Sequence, residues 1–398
     1  MNGLYKDILK KARDYRDSSA EMLSQMIRIP SLSGSEREVI EFISSSLSNI
    51  GFDEVRTDGL GNLVCRIGNG PRILAIDAHI DTVDVGLVEQ WEYEPFSGKI
   101  FNGKVLGRGA CDQKAGAASM ITAGKILKEI TYDGKFTIYL TFTVMEEDCD
   151  GLCWDYLITE EHLKPEFVVI TEPTNLGLYR GHRGRMEIEL TVKGVSAHGS
   201  APERGENAIY KASKICLGIM DLNERLFQDD FLGKGTVAVT NIISDSPSLC
   251  AIPDRCDIHL DRRLTWGENK ESALDEIKAI VGPDVEISVP IYDKKSYKGT
   301  MFHAEKYFPT WKLDRGHPLL KAGAECACLV LDTPPRIDKW TFSTNGVSIC
   351  GRHGIPVIGF GPGDESLAHA PNEFVEIDQL VAASGFYALL PYILEKSV

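Results

Sequence analysis

Five places along the chain carry an acid or a histidine where a strand ends or in the turn after it: His79 with Asp81, Asp112, Glu146 with Glu147, Glu172, and His369. In α/β sheets ligands gather outside the carboxyl ends of the strands, so the same chemistry at several strand ends reads as one site. His79-Ile80-Asp81 closes a short apolar run. Strand alternation puts its two polar side chains on one face. His79 can then bind a metal ion while Asp81 holds the other ring nitrogen and fixes the tautomer. Asp112 suits a bridging carboxylate, and His79, Glu147, Glu172 and His369 supply terminal ligands for two divalent cations. Two such ions about 3.5 Å apart polarise a carbonyl and generate hydroxide at neutral pH. The mix of nitrogen and oxygen donors suits Zn²⁺, with Co²⁺ or Mn²⁺ as alternatives. Glu146, beside a ligand without being one, is placed as general base and then as proton donor to a leaving amine. Taken singly, each piece has an ordinary reading. Glu146-Glu147-Asp148 is a solvated acidic turn, Asp112 a turn residue or helix cap, and His369 a loop histidine. Jointly they fall where a two-metal site needs them. Gly107-Arg108-Gly109 lacks the Gly-Lys-Ser/Thr of a phosphate loop.

The elements that must position these groups alternate. A helix is predicted over residues 5–27. A second runs over 36–50, started by Ser33-Gly34-Ser35 with Glu38 as a capping box. Strands follow at 54–56, 63–67 and 73–80. A glycine-rich turn at 104–112 leads into a small-residue helix at 114–130, then strands at 135–145 and 167–171. This is the signature of an α/β sandwich, a mixed sheet with helices on both faces. After residue 181 the texture changes to strand 186–192, helix 206–224, strands 236–243 and 256–262, helix 269–281 and strand 285–289. That order is the split ferredoxin-like α+β unit, inserted into the first domain. Residues 296–317 are irregular. A helix at 317–327, strands at 340–342 and 357–360, and a closing helix at 377–395 complete the chain. The expected division is therefore 1–181 and 296–398 for the catalytic domain, and 182–295 for the insert.

A length of 398 residues fits two domains. The formal net charge of −15 argues against nucleic acid or an anionic membrane as partner. No apolar run reaches bilayer length, and residues 1–16 lack the apolar core of a secretory signal. The ten cysteines are scattered without structural-zinc spacing, as in a reducing cytoplasm.

Six segments then come in order: His79-Ile-Asp81-Thr-Val, Gly107-Arg-Gly-Ala-Cys-Asp112-Gln-Lys-Ala-Gly, Glu146-Glu147, Thr171-Glu172-Pro-Thr, Ser196-Ala-His198-Gly-Ser and His369-Ala-Pro-Asn-Glu. Over nearly the whole chain they resemble the acetylornithine deacetylase / succinyl-diaminopimelate desuccinylase / carboxypeptidase metallohydrolase family. The pattern is most like the branch linked to selenium metabolism.

The resemblance implies a di-zinc hydrolase with His79 and Glu172 on one metal, Glu147 and His369 on the other, Asp112 bridging and Glu146 as base. It also implies a cis peptide at Asp112–Gln113. The insert becomes a lid and homodimer interface, whose His198 reaches the partner's site to stabilise the oxyanion. Asn241 and Arg263 resemble lid residues that bind substrate. Arg263 would pair with a carboxylate, and Arg262 is a rival for that role. Residues 343–363, Gly346 among them, sit where the family has a glycine-rich substrate loop. Glu rather than Asp at position 172 implies a deacylase or carboxypeptidase rather than an aminopeptidase. The expected activity is hydrolysis of an amide C–N bond in an N-acyl amino acid-like small molecule. An N-carbamoyl amino acid hydrolase is the alternative. A non-catalytic metal-binding interaction protein is the reading from another class, and the intact Glu146 argues against it.

Overall fold

Apolar side chains collect into two separate cores in the computed structural model, which describes residues 3–397. The larger core begins with helices α1 (Gly3–Asp14), α2 (Arg16–Ile27) and α3 (Arg37–Leu47). Strands β1 (Glu54–Thr57), β2 (Leu63–Ile67) and β3 (Arg72–His79) follow, then a small hairpin, β4 (Lys99–Phe101) and β5 (Lys104–Leu106). Next come α4 (Lys114–Glu129), β6 (Phe136–Thr143), α5 (Leu152–Thr159), β7 (Phe167–Ile170), β8 (Leu178–Tyr179) and β9 (Gly181–His182).

The main sheet has eight strands. Their order is β1, β2, β6, β3, β7, Val357–Gly359, β8 and Ile337–Asp338. β3 runs parallel to both β6 and β7, so the carboxyl ends of these three strands lie side by side. A strand between parallel neighbours is buried on both faces. This explains why β3 reads as a near-continuous apolar run up to His79. The alanines and glycines of α4 let it lie deep in the core, with thirteen of its residues buried.

The smaller core lies under an antiparallel sheet. β10 (Gly184–Lys193) alternates buried with partly or fully exposed positions, as a strand with one wet face does. Helix α6 (Ala208–Arg225) follows, capped by Asn207. Then come strands Thr236–Asp245 and Arg255–Leu264, helix α7 (Lys270–Val281) and strand Val285–Ser288. Asn269 and Ser272 form a capping box on α7. The strand order is Thr236–Asp245, Arg255–Leu264, β10, Val285–Ser288, a β-α-β-β-α-β unit. The chain enters this unit after β9 and returns along Trp311–Lys312, which pairs with β9. The insert is thus joined to the larger core through two adjacent strands.

Helices α8 (Pro318–Leu331) and α9 (Ile377–Ser397) close the first core. Among the described residues α9 is long and apolar enough to cross a membrane, but 72% of its apolar window is buried inside the protein. A helix that is apolar on all sides is what a core position requires.

Four local expectations are corrected. The helix expected over 5–27 is broken at Tyr15, whose hydroxyl reaches Glu129 on α4. The capping box at Ser35 and Glu38 does not form. Glu36 is the N-cap instead, and its buried carboxylate accepts from the amides of Gly34 and Met145. Residues 340–342 are not a strand, because Trp340 is buried edge-on against Tyr179 and tilted against Trp311. The local strand is Ile337–Asp338. Finally, the glycine-rich turn is partly extended: β5 pairs with Phe374–Glu376, bringing the His369 segment beside the Asp112 segment.

Candidate active site

Side chains from three neighbouring strand ends and two loops converge on one cavity of about 300 Å³. His79 ends β3 and Glu172 lies two residues beyond β7. After β6, Met145 adopts a left-handed backbone at φ 62°, and Glu146 and Glu147 follow it. His369 is also left-handed, at φ 61°. Such a conformation is uncommon outside glycine and persists where the surroundings enforce it.

Asp112 joins the two halves of the cluster. Its Oδ1 is 3.0 Å from His79 Nε2, and its Oδ2 is 3.5 Å from His369 Nε2. Glu172 Oε1 stands 3.5 Å from His79 Nε2, and Glu147 Oε2 2.9 Å from His369 Nε2. The donor atoms of His79, Asp112 and Glu172 lie within 4.8 Å of one another, as do those of Asp112, Glu147 and His369. Each triad can hold a cation, and Asp112 belongs to both. The peptide between Asp112 and Gln113 is cis.

The electrostatics ask for positive charge. Burial, with the Asp112 charge adding to it, holds the Glu172 carboxyl well above its usual range. Burial also raises Glu146 strongly, with His79 opposing the rise and Asp150, Glu172 and Glu147 adding to it. Glu147 is pushed up to about 7, by burial first and then by Asp112. Burial works against a charged His79, yet Glu172, Asp112, Asp81 and Glu146 together raise it well above an ordinary imidazole. These groups compete for protons because too many carboxylates share too little positive charge. Oε1 of Glu146, Oε1 of Glu147 and Oε2 of Glu172 are buried without a hydrogen-bond partner. Buried carboxylate oxygens are normally satisfied, so this donor set fits two divalent cations. A cleft between α2, α3 and α4 is larger, at about 520 Å³, but its lining has only one acid and no histidine.

Asp81 does more than aim His79. The closer partner of His79 Nδ1 is the Asp81 backbone carbonyl, at 3.0 Å, with the carboxylate 3.5 Å away. A carbonyl only accepts, so Nδ1 carries a proton and Nε2 faces the metal position. The Asp81 carboxylate accepts from the amides of Glu146 (3.2 Å) and Glu147 (3.0 Å) and from Ser33 Oγ (2.6 Å). It therefore holds the turn that presents Glu146 and Glu147 to the cavity. Replacing Asp81 by alanine is expected to lower kcat about 10- to 100-fold and to weaken the metal at Glu147–His369, leaving the His79 position filled. Metal analysis still finding two tightly held equivalents would count against this.

Glu373, in the quoted segment after His369, is a second organiser. Its buried carboxylate accepts from Arg108 (2.7 Å) and from the amides of Gly109 (3.1 Å), Cys111 (2.7 Å) and Asp112 (3.0 Å). Arg108 also donates to the carbonyls of His369 and Ala370. Gly109 is left-handed at φ 84°, and a Cβ there would come within 2.8 Å of Thr82. The glycines of this loop thus let its amides wrap around the carboxylate.

The remaining predicted residues divide. Arg263 lines the cavity, while Arg262 is fully buried and forks between Glu268 and Glu276. Adjacent strand residues face opposite ways, so of the two only Arg263 reaches the cavity. His198 and Asn241 are exposed on the insert, outside the cavity lining. Gly346 departs from its expected place. It is buried against Trp311, where a Cβ would clash with the ring, and Phe342 and Ser343 line the cavity instead. Asp150, Arg185 and Glu365 also line it. Arg185 falls two residues before Glu187 on the wet face of β10, so strand alternation was the signal that could have found it.

A sheet that presents one carboxylate between two histidine–glutamate pairs, with a further glutamate beside them, fits a metal-dependent amide hydrolase. The chain belongs to the peptidase family M20/M25/M40, whose model matches residues 75–392. It is 49% identical over 392 residues to the protein YgeY of Escherichia coli strain K12, covering 97% of each chain. It is 35% identical over 404 residues to a probable succinyl-diaminopimelate desuccinylase of Staphylococcus epidermidis strain RP62A, covering 92% of this chain and 95% of that one. The fold is shared with Bacillus subtilis YXEP, described as a dinuclear metal binding peptidase. That match has a TM-score of 0.73 at 17% identity, over 97% of this chain and all of that one.

Proposed function

We propose that the protein cleaves the amide C–N bond of an N-acyl amino acid-like small molecule, as a deacylase or carboxypeptidase. The observation that carries this reading is Asp112 facing two histidine–glutamate pairs while Glu146, in neither triad, stands 3.9 Å from His79 Nε2. When bound, two divalent cations polarise the scissile carbonyl and lower the pKa of water. The nitrogen and oxygen donors favour zinc, with cobalt or manganese as alternatives. Glu146 takes the proton of the attacking water, and burial raises its affinity for that proton. It then returns the proton to the departing nitrogen. Arg263 holds the substrate carboxylate at the cavity wall. The desuccinylase relatives support acyl removal over peptide trimming.

The reading includes a homodimer through the insert, acting as a lid. The Nδ1 of His198 accepts from the amide and hydroxyl of Ser200, which puts its proton on Nε2. The ring is a ready donor, exposed and outside the cavity lining of its own chain. The edge strand Thr236–Asp245 exposes Ile242 and Ile243, and α6 exposes Tyr210, Leu217 and Met220. An apolar sheet edge of this kind calls for a cover. A second copy placed there would bring its His198 to the oxyanion and its Asn241 to the substrate. All ten cysteines are unpaired, which supports a cytoplasmic setting.

The test is amine release from matched acyl, carbamoyl and dipeptide substrates by protein loaded with two equivalents of zinc. Preferred turnover of acyl amino acids is expected. Preference for the carbamoyl series would replace the deacylase reading with a ureido hydrolase, and no turnover in any series would overturn it. Light scattering that finds only monomer at micromolar concentration would remove His198 from the mechanism.

A further inference from the structure

Two arginines meet at the cavity wall on the wet face of the insert. Arg185 on β10 and Arg263 on strand Arg255–Leu264 are direct cross-strand partners, and both line the cavity that holds the metal ligands. Like charges directly opposite each other weaken a sheet, so this pair needs compensation. Arg263 has it, because Asp261 takes its Nε and one terminal nitrogen at 2.7 and 3.0 Å. Arg185 does not. Its nearest carboxylate oxygen, on Asp150, is 3.6 Å from Nε, beyond hydrogen-bond reach. That same Asp150 oxygen already accepts from Ser343. The Nε of Arg185 is buried without a partner. The guanidinium lies over the Phe308 ring, 4.5 Å from its centroid, and Phe308 is its register partner on the other side. The ring fixes the plane of the fork and supplies no acceptor.

We infer that Arg185 is a specificity-determining residue: with Arg263 it forms a two-arginine clamp on a substrate carboxylate, restricting the enzyme to substrates with a free acid group near the scissile amide. The inference rests on the amide-hydrolase reading above and names the chemical class it accepts. The planar fork of Arg185 matches a carboxylate bidentately, and an anion between the guanidiniums relieves their repulsion. Asp150 and Phe308 hold Arg185 in place between turnovers. An uncharged carboxamide at the same position would leave two guanidiniums facing each other over a neutral group.

The experiment uses zinc-loaded protein and pairs of N-acetyl and N-carbamoyl amino acids, each with its C-terminal carboxamide. Turnover is measured with the native protein, Arg185→Gln and Arg185→Lys. Equilibrium binding is measured by calorimetry in a Glu146→Gln background, where hydrolysis is blocked. The native protein is expected to prefer carboxylate over carboxamide by about 30-fold or more in kcat/KM, the effect of losing a charge-assisted contact. Arg185→Gln should reduce that preference to about 3-fold by slowing the carboxylate series alone, with Arg185→Lys in between, since charge without the fork rescues partly. Arg185→Gln with native preference in turnover and binding overturns the clamp and leaves the hydrolase reading standing. Arg185-dependent carboxylate binding without turnover of any amide does the reverse. If no pair binds or turns over, both fail.

Discussion

Zinc-loaded Glu146→Gln protein is expected to retain both metal equivalents and lose about 10²- to 10⁴-fold in kcat, the range for removing a positioned general base. Glu146 belongs to neither ligand triad, so its replacement leaves the donor sets of both cations complete. Its amide still bonds to Asp81, so the turn that presents Glu147 stays in place. Glutamine keeps the shape of the side chain and gives up only the ability to take a proton. KM should therefore move less than about 3-fold, because the lost interaction belongs to the transition state. Glu146→Asp, one methylene shorter, should recover part of the rate with the same metal content. Turnover within about 10-fold of native by Glu146→Gln, with both metals bound, would assign the base elsewhere. Equal activity of Glu146→Ala and native protein, above the metal-stripped background, would remove acid–base catalysis by this residue altogether.

How far the sequence foretold this arrangement depends on the kind of element carrying each residue. His79, Glu146, Glu147 and Glu172 were legible because each follows a strand with a clear apolar pattern. Strand order was not legible. Only the register of β3 between β6 and β7 shows that these three ends are neighbours. The insert was readable element by element, because β10 alternates over ten residues and α6 carries a full amphipathic face. What escaped was short. β4, β5 and Phe374–Glu376 have three residues each, too few for any period to show, yet their pairing brings the Asp112 loop to the His369 loop. Helix α5 and the π-turn at Val347–Arg352 escaped for the same reason, and with them Asp150 and Ser343 as cavity-lining groups. Asp81 was assigned to His79 from spacing alone. The three donors that its carboxylate receives come from residues 48 to 66 positions away, a relation no local pattern carries. Which of Arg262 and Arg263 faces the cavity was likewise hidden, because it depends on which strand face looks inward and on the buried ion pairs of Arg262.

The other large effect is expected at Asp112. Replacing it by alanine removes a ligand from both triads at once, leaving His79 with Glu172 and Glu147 with His369 as two incomplete pairs. His79→Ala, by contrast, takes one donor from one triad and leaves Asp112, Glu147 and His369 intact. The two variants should therefore differ in kind. His79→Ala is expected to keep one equivalent of metal, whereas Asp112→Ala should keep none at metal concentrations that saturate the native protein. Activity of Asp112→Ala should fall by at least about 10⁶-fold, since most of the rate enhancement passes through the cation pair. Stability supplies an independent reading. A ligand that binds only the folded state stabilises it, by about 4 kcal/mol at a thousand times its dissociation constant. Native protein should thus lose melting temperature on chelation, and Asp112→Ala should melt at one temperature with or without chelator. The Glu373 carboxylate still accepts from the amides of Gly109 and Cys111, so the loop itself has the means to keep its shape without the Asp112 side chain. A circular dichroism spectrum like that of stripped native protein would show that it does. One firmly bound equivalent in Asp112→Ala would mean that the two metal positions are held independently, and that the shared carboxylate is not what makes them a pair.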